Sequence, residues 1–198
     1  MERAYTWCDG KRLEVTAKTL IMGILNVTPD SFSDGGRWNT AEGAKSHIRD
    51  MIDAGADIID VGAESTRPGS RPLTAEEEME RLKTFLPMVL EESSVPVSVD
   101  TYHWKTADDA LHAGAHMMND IWGLQYDHGE MAGVAAHYQV PVIVMHNKTD
   151  TKYIGDIIEE MKTFFDRSLN IALQAGMKEE NIILDPGIGF GKDGNQNM

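Results

Sequence analysis

The sequence predicts an α/β fold of repeated parallel βα units, on three observations. Short runs rich in Ile, Val and Met alternate with longer segments whose apolar residues recur every three and four positions, the mark of strands followed by helices. The apolar runs are nearly continuous in hydrophobicity, as strands covered on both faces are. From Asn26 to Asp185, which follow the first and sixth runs, five steps occupy 159 residues, or about 32 each. Eight such steps would fill about 250 residues, the usual size of a (β/α)8 TIM barrel. The expectation is a single domain over residues 1–198, an incomplete barrel covering about the first six βα units and lacking the last two, with an N-terminal β-hairpin.

The hairpin signal is Asp9-Gly10, flanked by Tyr5 to Val15, which is placed over the bottom of the sheet. Strands follow at Leu20 to Leu25, Ile58 to Val61, Val95 to Val99, Met117 to Ile121, Val140 to Met145 and Ile182 to Leu184. Helices are expected at Thr40 to Ala54, Thr74 to Glu92, Trp104 to Ala113, Asp127 to Tyr138 and Ile154 to Ala175. Thr74 with Glu77 three residues later reads as a capping box, and Gly55, Gly114 and Gly176 fall where helices stop.

Composition narrows the function classes. Eighteen Lys and Arg against 32 Asp and Glu give a net charge of −14, the wrong sign for displacing phosphate counterions from a nucleic acid. No apolar run approaches the roughly 20 residues of a membrane span, and charges at Glu2, Arg3, Asp9, Lys11 and Arg12 interrupt any signal-peptide core. A single cysteine, Cys8, excludes an internal disulfide framework and makes a reducing cytoplasm the expected compartment.

The polar residues that close the apolar runs carry the functional signal. Asn26, Gly62 to Arg67, Asp100, Asn119 with Asp120, His146 and Asp185 each stand at or beside a strand's C-terminal end, where barrel active sites are built. Such residues also start turns and cap helices, but a series over six strands is expected to converge on one mouth. Carboxylates accept paired N–H bonds from an amidine-like edge, and amides offer a donor and an acceptor to a ring lactam. The set suits a flat, donor-rich heterocycle, while Ser65-Thr66-Arg67-Pro68-Gly69 suits an oxyanion or pyrophosphate.

These residues resemble the dihydropteroate synthase family. Met22-Gly-Ile-Leu-Asn26-Val-Thr-Pro-Asp-Ser-Phe-Ser-Asp34-Gly-Gly36 is similar to its first signature, and Asp57-Ile-Ile-Asp60-Val-Gly-Ala-Glu64-Ser-Thr66-Arg67-Pro-Gly69 to its second. Pro96 to Thr101, Met118 to Ile121, Val144 to His146 and Leu184 to Lys192 match further blocks in order. The resemblance implies a transferase of folate biosynthesis and a sulfonamide target. It joins 4-aminobenzoate to 6-hydroxymethyl-7,8-dihydropterin diphosphate, giving 7,8-dihydropteroate and pyrophosphate. It implies pterin contacts from Asp100, Asn119, Asp185 and Met145, a Mg²⁺ contact from Asn26, and a substrate contact from Thr66. It also implies a 4-aminobenzoate pocket of Phe32, Pro68 and Phe190, with Asp34 and Arg67 at the reacting centre.

The resemblance further implies a homodimer, with small-molecule substrates as the partners. Ala63 stands where the family has Gly, and the family's Ser-Arg-Lys and Arg-x-His blocks have no counterpart, so a poorly active piece of a longer protein is expected. A pterin-binding methyltransferase domain and a non-catalytic pterin-binding remnant are the alternatives; Thr28 to Gly36 favours the synthase. Gly187-Ile-Gly-Phe-Gly-Lys192 lacks the spacing of a nucleotide phosphate loop. His146 reads as a hydrogen-bonded pocket wall, and Asp60 as a residue that orders the second loop.

Overall fold

A computed structural model describes residues 2–27, 41–64 and 72–198. Thr28, Phe32, Asp34, Gly36, Thr66, Arg67 and Pro68, singled out from the sequence, lie outside the described residues. The chain separates into two compact units, residues 1–117 and 118–198.

In the first unit, β1 (Arg3–Thr6) and β2 (Arg12–Val15) form the expected antiparallel hairpin, in register Arg3↔Val15 to Thr6↔Arg12. Gly10 closes its turn at φ +88°, a conformation that costs a side chain dearly. His116 fixes the hairpin in place. Its Nδ1 accepts from Val97 N at 3.0 Å, so its Nε2 carries the proton and donates to Asp9 Oδ2 at 2.9 Å. Trp7 Nε1 donates to the His116 carbonyl at 2.8 Å. The hairpin therefore sits against the residues that open the strands, as expected.

The parallel strands β3 (Met22–Asn26), β4 (Ile58–Gly62) and β5 (Val97–Asp100) lie in sequential order. The helices α1 (Ala41–Asp53), α2 (Ala75–Glu92) and α3 (Trp104–His112) follow them. Every residue of β4 is buried, Asp60 among its apolar neighbours included. Helix α2 begins on the expected capping box: Glu77 N donates to Thr74 Oγ1 and Thr74 N to Glu77 Oε2. Its Leu82, Leu86 and Val89 are buried along one stripe, with Ala107, Ala110 and Leu111 of α3.

In the second unit, β6 (Met117–Asp120), β7 (Val142–Met145) and β8 (Ile182–Asp185) repeat the parallel order, with α4 (Glu130–Tyr138) and α5 (Ile157–Gln174) between them. Two helices start three residues later than the sequence predicts. Asp127 spends its carboxylate on Gly129 N and Met131 N, so it closes a turn ahead of α4. Asp156 caps α5 through Ile158 N, leaving Ile154 outside the helix and fully exposed. Gly55, Gly114 and Gly176, read as helix stops, all have positive φ.

Candidate active site

In the first unit, parallel register aligns Asn26, Gly62 and Asp100 in one row at the C-terminal ends of three strands. Gly62 is what lets its neighbours converge. A Cβ there would lie 3.3 Å from Asn26 Oδ1 and 3.4 Å from Asp100 Oδ2, so an amide oxygen and a carboxylate oxygen flank the space above a bare backbone. Asn26 is exposed and Asp100 half-buried. Asn26 thus faces solvent at the strand ends, where the chemistry of such folds is built.

Glu64, just past β4, ties together residues on either side of 65–71. Its Oε2 accepts from Leu73 N at 3.2 Å, and both its oxygens lie within 3.1 Å of the Tyr102 hydroxyl, which donates to them. Burial, opposed by these two hydrogen bonds, raises its pKa. Glu64 is an acid bonded to the far stem, through Leu73 N. Beside it the buried Glu78 accepts from Thr101 Oγ1 at 2.7 Å and faces His103 Nδ1 at 3.0 Å.

Glu64, Glu78 and His103 are the His/carboxylate cluster that could hold a cation among the described residues. Glu64 accepts from the Tyr102 hydroxyl and the Leu73 amide and Glu78 Oε2 from the Thr101 hydroxyl, while Glu78 Oε1 is buried without a hydrogen-bond partner; the Glu78 hydrogen bond raises the His103 pKa. The cluster reads as a hydrogen-bonded brace. Asn26 Oδ1, beside Asp100 Oδ2, supplies the hard oxygen donors that Mg²⁺ takes alongside phosphate oxygens and water.

In the second unit, Asn119 pairs with Ile143 and Met145 with Asp185. These rows are two residues apart, so Asn119, Met145 and Asp185 project from the same face of the sheet. Asp185 is held in place: its Oδ1 accepts from Gly187 N at 2.8 Å and its carbonyl from His146 N at 2.9 Å. Phe190, half-buried, sits on the same segment, in a turn closed by Phe190 N to Gly187 O at 3.0 Å.

Asp120, adjacent to Asn119 but on the opposite face, is fully buried and accepts from Trp122 N at 2.8 Å and Leu124 N at 2.7 Å. It organises the turn after β6. Burial pushes its pKa up to about 6 against those hydrogen bonds. His146 behaves as the sequence reading expects. It is 3% exposed, edge-on to Phe164, and bonded through Nδ1 to Lys192 Nζ at 2.9 Å. Burial first, then the Lys192 charge, lowers its pKa to about 4.

Sequence reasoning missed the Glu64 brace, the bare backbone at Gly62 and the buried Lys192. Three glycines spaced two apart before Lys192 were the available signal, because such spacing lets backbone approach backbone. A cleft of about 530 Å³ between the β7–α5 connection and α5 is lined by His146, Lys148, Asp156, Glu160 and Arg167. Of the strand-end residues marked by the sequence, it contains His146 alone.

The model of the pterin binding enzyme family matches residues 22–198. A dihydropteroate synthase from Clostridium beijerinckii is 50% identical over 188 residues, covering 95% of this chain and 69% of that protein. A solved Clostridium difficile dihydropteroate synthase, crystallised in the presence of pteroic acid, superposes with a TM-score of 0.86 at 49% identity over 91% of this chain and 68% of that one. A Xanthomonas albilineans dihydropteroate synthase with 4-aminobenzoic acid also gives a TM-score of 0.86, at 37% identity over 96% of this chain and 68% of the other.

These likenesses bear out the α/β barrel class, with this chain spanning about two thirds of its relatives' length. They do not favour the methyltransferase alternative. The chain belongs to the pterin-binding enzymes and, within them, to the dihydropteroate synthases, enzymes of the transferase class.

Proposed function

We propose that this chain, as one pterin-binding domain over residues 1–198, serves dihydropteroate synthesis. The reaction joins 6-hydroxymethyl-7,8-dihydropterin diphosphate to 4-aminobenzoate. The observation that carries the reading is the set of strand-end acceptors: Asn26 and Asp100 converging over Gly62, and Asp185 held by Gly187 N on the face that also carries Asn119 and Met145. Relatives solved with pteroic acid and with 4-aminobenzoic acid support both substrate classes.

In this reading Asp185 accepts the paired N–H groups of the pterin's amino-pyrimidine edge, with its orientation fixed beforehand by the Gly187 amide. By the family resemblance, Asp100 and Asn119 are assigned to further polar contacts of the pterin and the Met145 thioether to packing on its ring. Asn26 would hold Mg²⁺, which would supply positive charge to the diphosphate as it departs. The C–O bond to pyrophosphate breaks, the aniline nitrogen bonds to the same carbon, and the ammonium proton passes to solvent.

Thr66 and Arg67 are assigned to the diphosphate side, Asp34 to the cationic carbon, and Phe32, Pro68 and Phe190 to the 4-aminobenzoate pocket, all by the family resemblance. Closure over the loaded site would keep water from intercepting that carbon. We assign the protein to the cytoplasm and to a homodimer. No helix among the described residues is long and apolar enough to cross a membrane, and Cys8 is free.

Calorimetric titration with pteroic acid tests the reading on this chain directly. Asp185→Ala is expected to weaken binding at least 100-fold, in line with about 3 kcal/mol for a charge-assisted pair. Undiminished binding in that variant would reject the ring contact. In turnover assays a sulfonamide is expected to compete with 4-aminobenzoate and to block pyrophosphate release.

A further inference from the structure

Lys192 is 7% exposed, and its ammonium meets three acceptors: His146 Nδ1 at 2.9 Å, the Gly187 carbonyl at 3.0 Å and the Phe190 carbonyl at 3.0 Å. An ammonium has three N–H donors, so the count closes. Two of those acceptors are the first and last carbonyls of the turn that carries Phe190. The third is a ring nitrogen on the residue that follows β7, whose own N–H bonds the Asp185 carbonyl. The ammonium therefore ties the residue that follows β7 to the turn that follows β8.

The fit is close on every side. A Cβ at Gly187 would stand 2.1 Å from the His146 carbonyl oxygen, and one at Gly191 would stand 2.6 Å from that of Lys148. The Tyr153 hydroxyl donates to the Gly191 carbonyl at 2.9 Å. Between these contacts the chain has little room to change shape while the ammonium stays. The turn is coupled to the candidate pterin carboxylate, because Gly187 gives its amide to Asp185 Oδ1 and its carbonyl to Lys192.

We propose that Lys192 is a positioning residue for pterin binding, its ammonium clamped by a neutral His146 so that residues 185–190 are held in the ligand-ready shape. The role rests on the pterin-site reading above and deepens it. It requires His146 to keep a lone pair on Nδ1, hence to be the Nε2–H tautomer. Burial supports that state by disfavouring a second positive charge beside Lys192.

The test has two arms. In the first, pteroic acid is titrated into the unmodified chain, Asp185→Ala and Lys192→Met, the last keeping the apolar stem while removing all three donors. Lys192→Met is expected to bind at least 10-fold more weakly below its unfolding transition; binding within twofold of the unmodified chain overturns the inference. A residue that only stabilises the fold would lower the unfolding temperature and leave the affinity of the folded protein unchanged.

The second arm is nitrogen-15 NMR of the unmodified chain at pH 7, which decides the matter if Lys192→Met does not fold. A neutral Nε2–H imidazole at His146, with a Lys192 ammonium signal shielded from exchange, supports the clamp. A protonated or Nδ1–H imidazole overturns it. Failure of the unmodified chain to bind pteroic acid, with the NMR signature intact, counts against the function proposed above rather than against the clamp.

Discussion

Gly187 and Gly189 offer a matched pair in which steric contact can be separated from backbone conformation. Both have positive φ, +66° and +89°, so alanine at either pays about 1–2 kcal/mol for a left-handed backbone. They differ in what the new methyl would meet. At Gly189 there is nothing within 4 Å; at Gly187 the Cβ would fall 2.1 Å from the His146 carbonyl oxygen and 3.1 Å from Met145 Cγ. The first is a backbone atom of His146, whose own N–H is bonded to the Asp185 carbonyl, so it cannot swing aside as a side chain would.

It must retreat by nearly an ångström to reach the 3.0 Å that real contacts respect. Overpacking of that kind costs about 1–3 kcal/mol. Gly189→Ala is therefore expected to lose about 1–2 kcal/mol and Gly187→Ala about 2–5 kcal/mol of unfolding free energy in urea. Gly187→Ala is also expected to weaken pteroic acid binding, since the displaced turn carries the Asp185 hydrogen bond. Equal losses in the two variants would show that the turn does not press on β7 as described.

Two further outcomes follow from buried polar groups. Asp120, raised from 3.8 to about 6, binds its proton more tightly folded than unfolded, so its contribution is full below pH 3.8 and is lost as pH climbs through 6. At 1.36 kcal/mol per unit the full loss is about 3 kcal/mol, of which about 2 kcal/mol falls between pH 4 and pH 7, read as the unmodified protein's decline relative to Asp120→Asn. A carboxyl carbon-13 midpoint at or below 4 would contradict it. His116→Phe removes the acceptor for the buried Val97 amide and the donor to Asp9, and is expected to cost about 1–3 kcal/mol in urea unfolding with a change in Trp7 fluorescence. A loss under about 0.5 kcal/mol would mean that the hairpin is not fastened through this ring.

What could be read from sequence follows from which interactions are local. Strand and helix order was legible because burial on both faces leaves continuous apolar runs, and β4 shows the pattern at its fullest, buried at every residue. The start of α4 was misplaced because Asp127 looks like the first residue of a helix, and only the geometry shows it closing a turn before α4. The start of α5 was placed at Ile154 by its apolar side chain, whereas the cap is Asp156. Strand-end residues were legible as a set because polar groups inside an apolar run are costly without a purpose. Their alignment into the row Asn26, Gly62 and Asp100 is a matter of register, which no window of sequence contains.

The same distinction explains the residues that escaped notice. Lys192 lies 46 residues from His146, and Glu64 lies 38 from Tyr102, so neither hydrogen bond leaves a spacing that a motif could encode. Each is nonetheless attached to a residue that the sequence did mark, Asp185 in one case and the second loop's entry in the other. Strand ends place chemical groups to within a residue, but a carboxylate must be aimed to a fraction of an ångström. In this chain that aim comes from long-range partners. Asp185 is oriented by Gly187, which is itself held by a buried ammonium whose third donor is spent on an imidazole. Substitutions that preserve every signature residue but disturb these supports are therefore expected to lose ligand affinity first, and stability second.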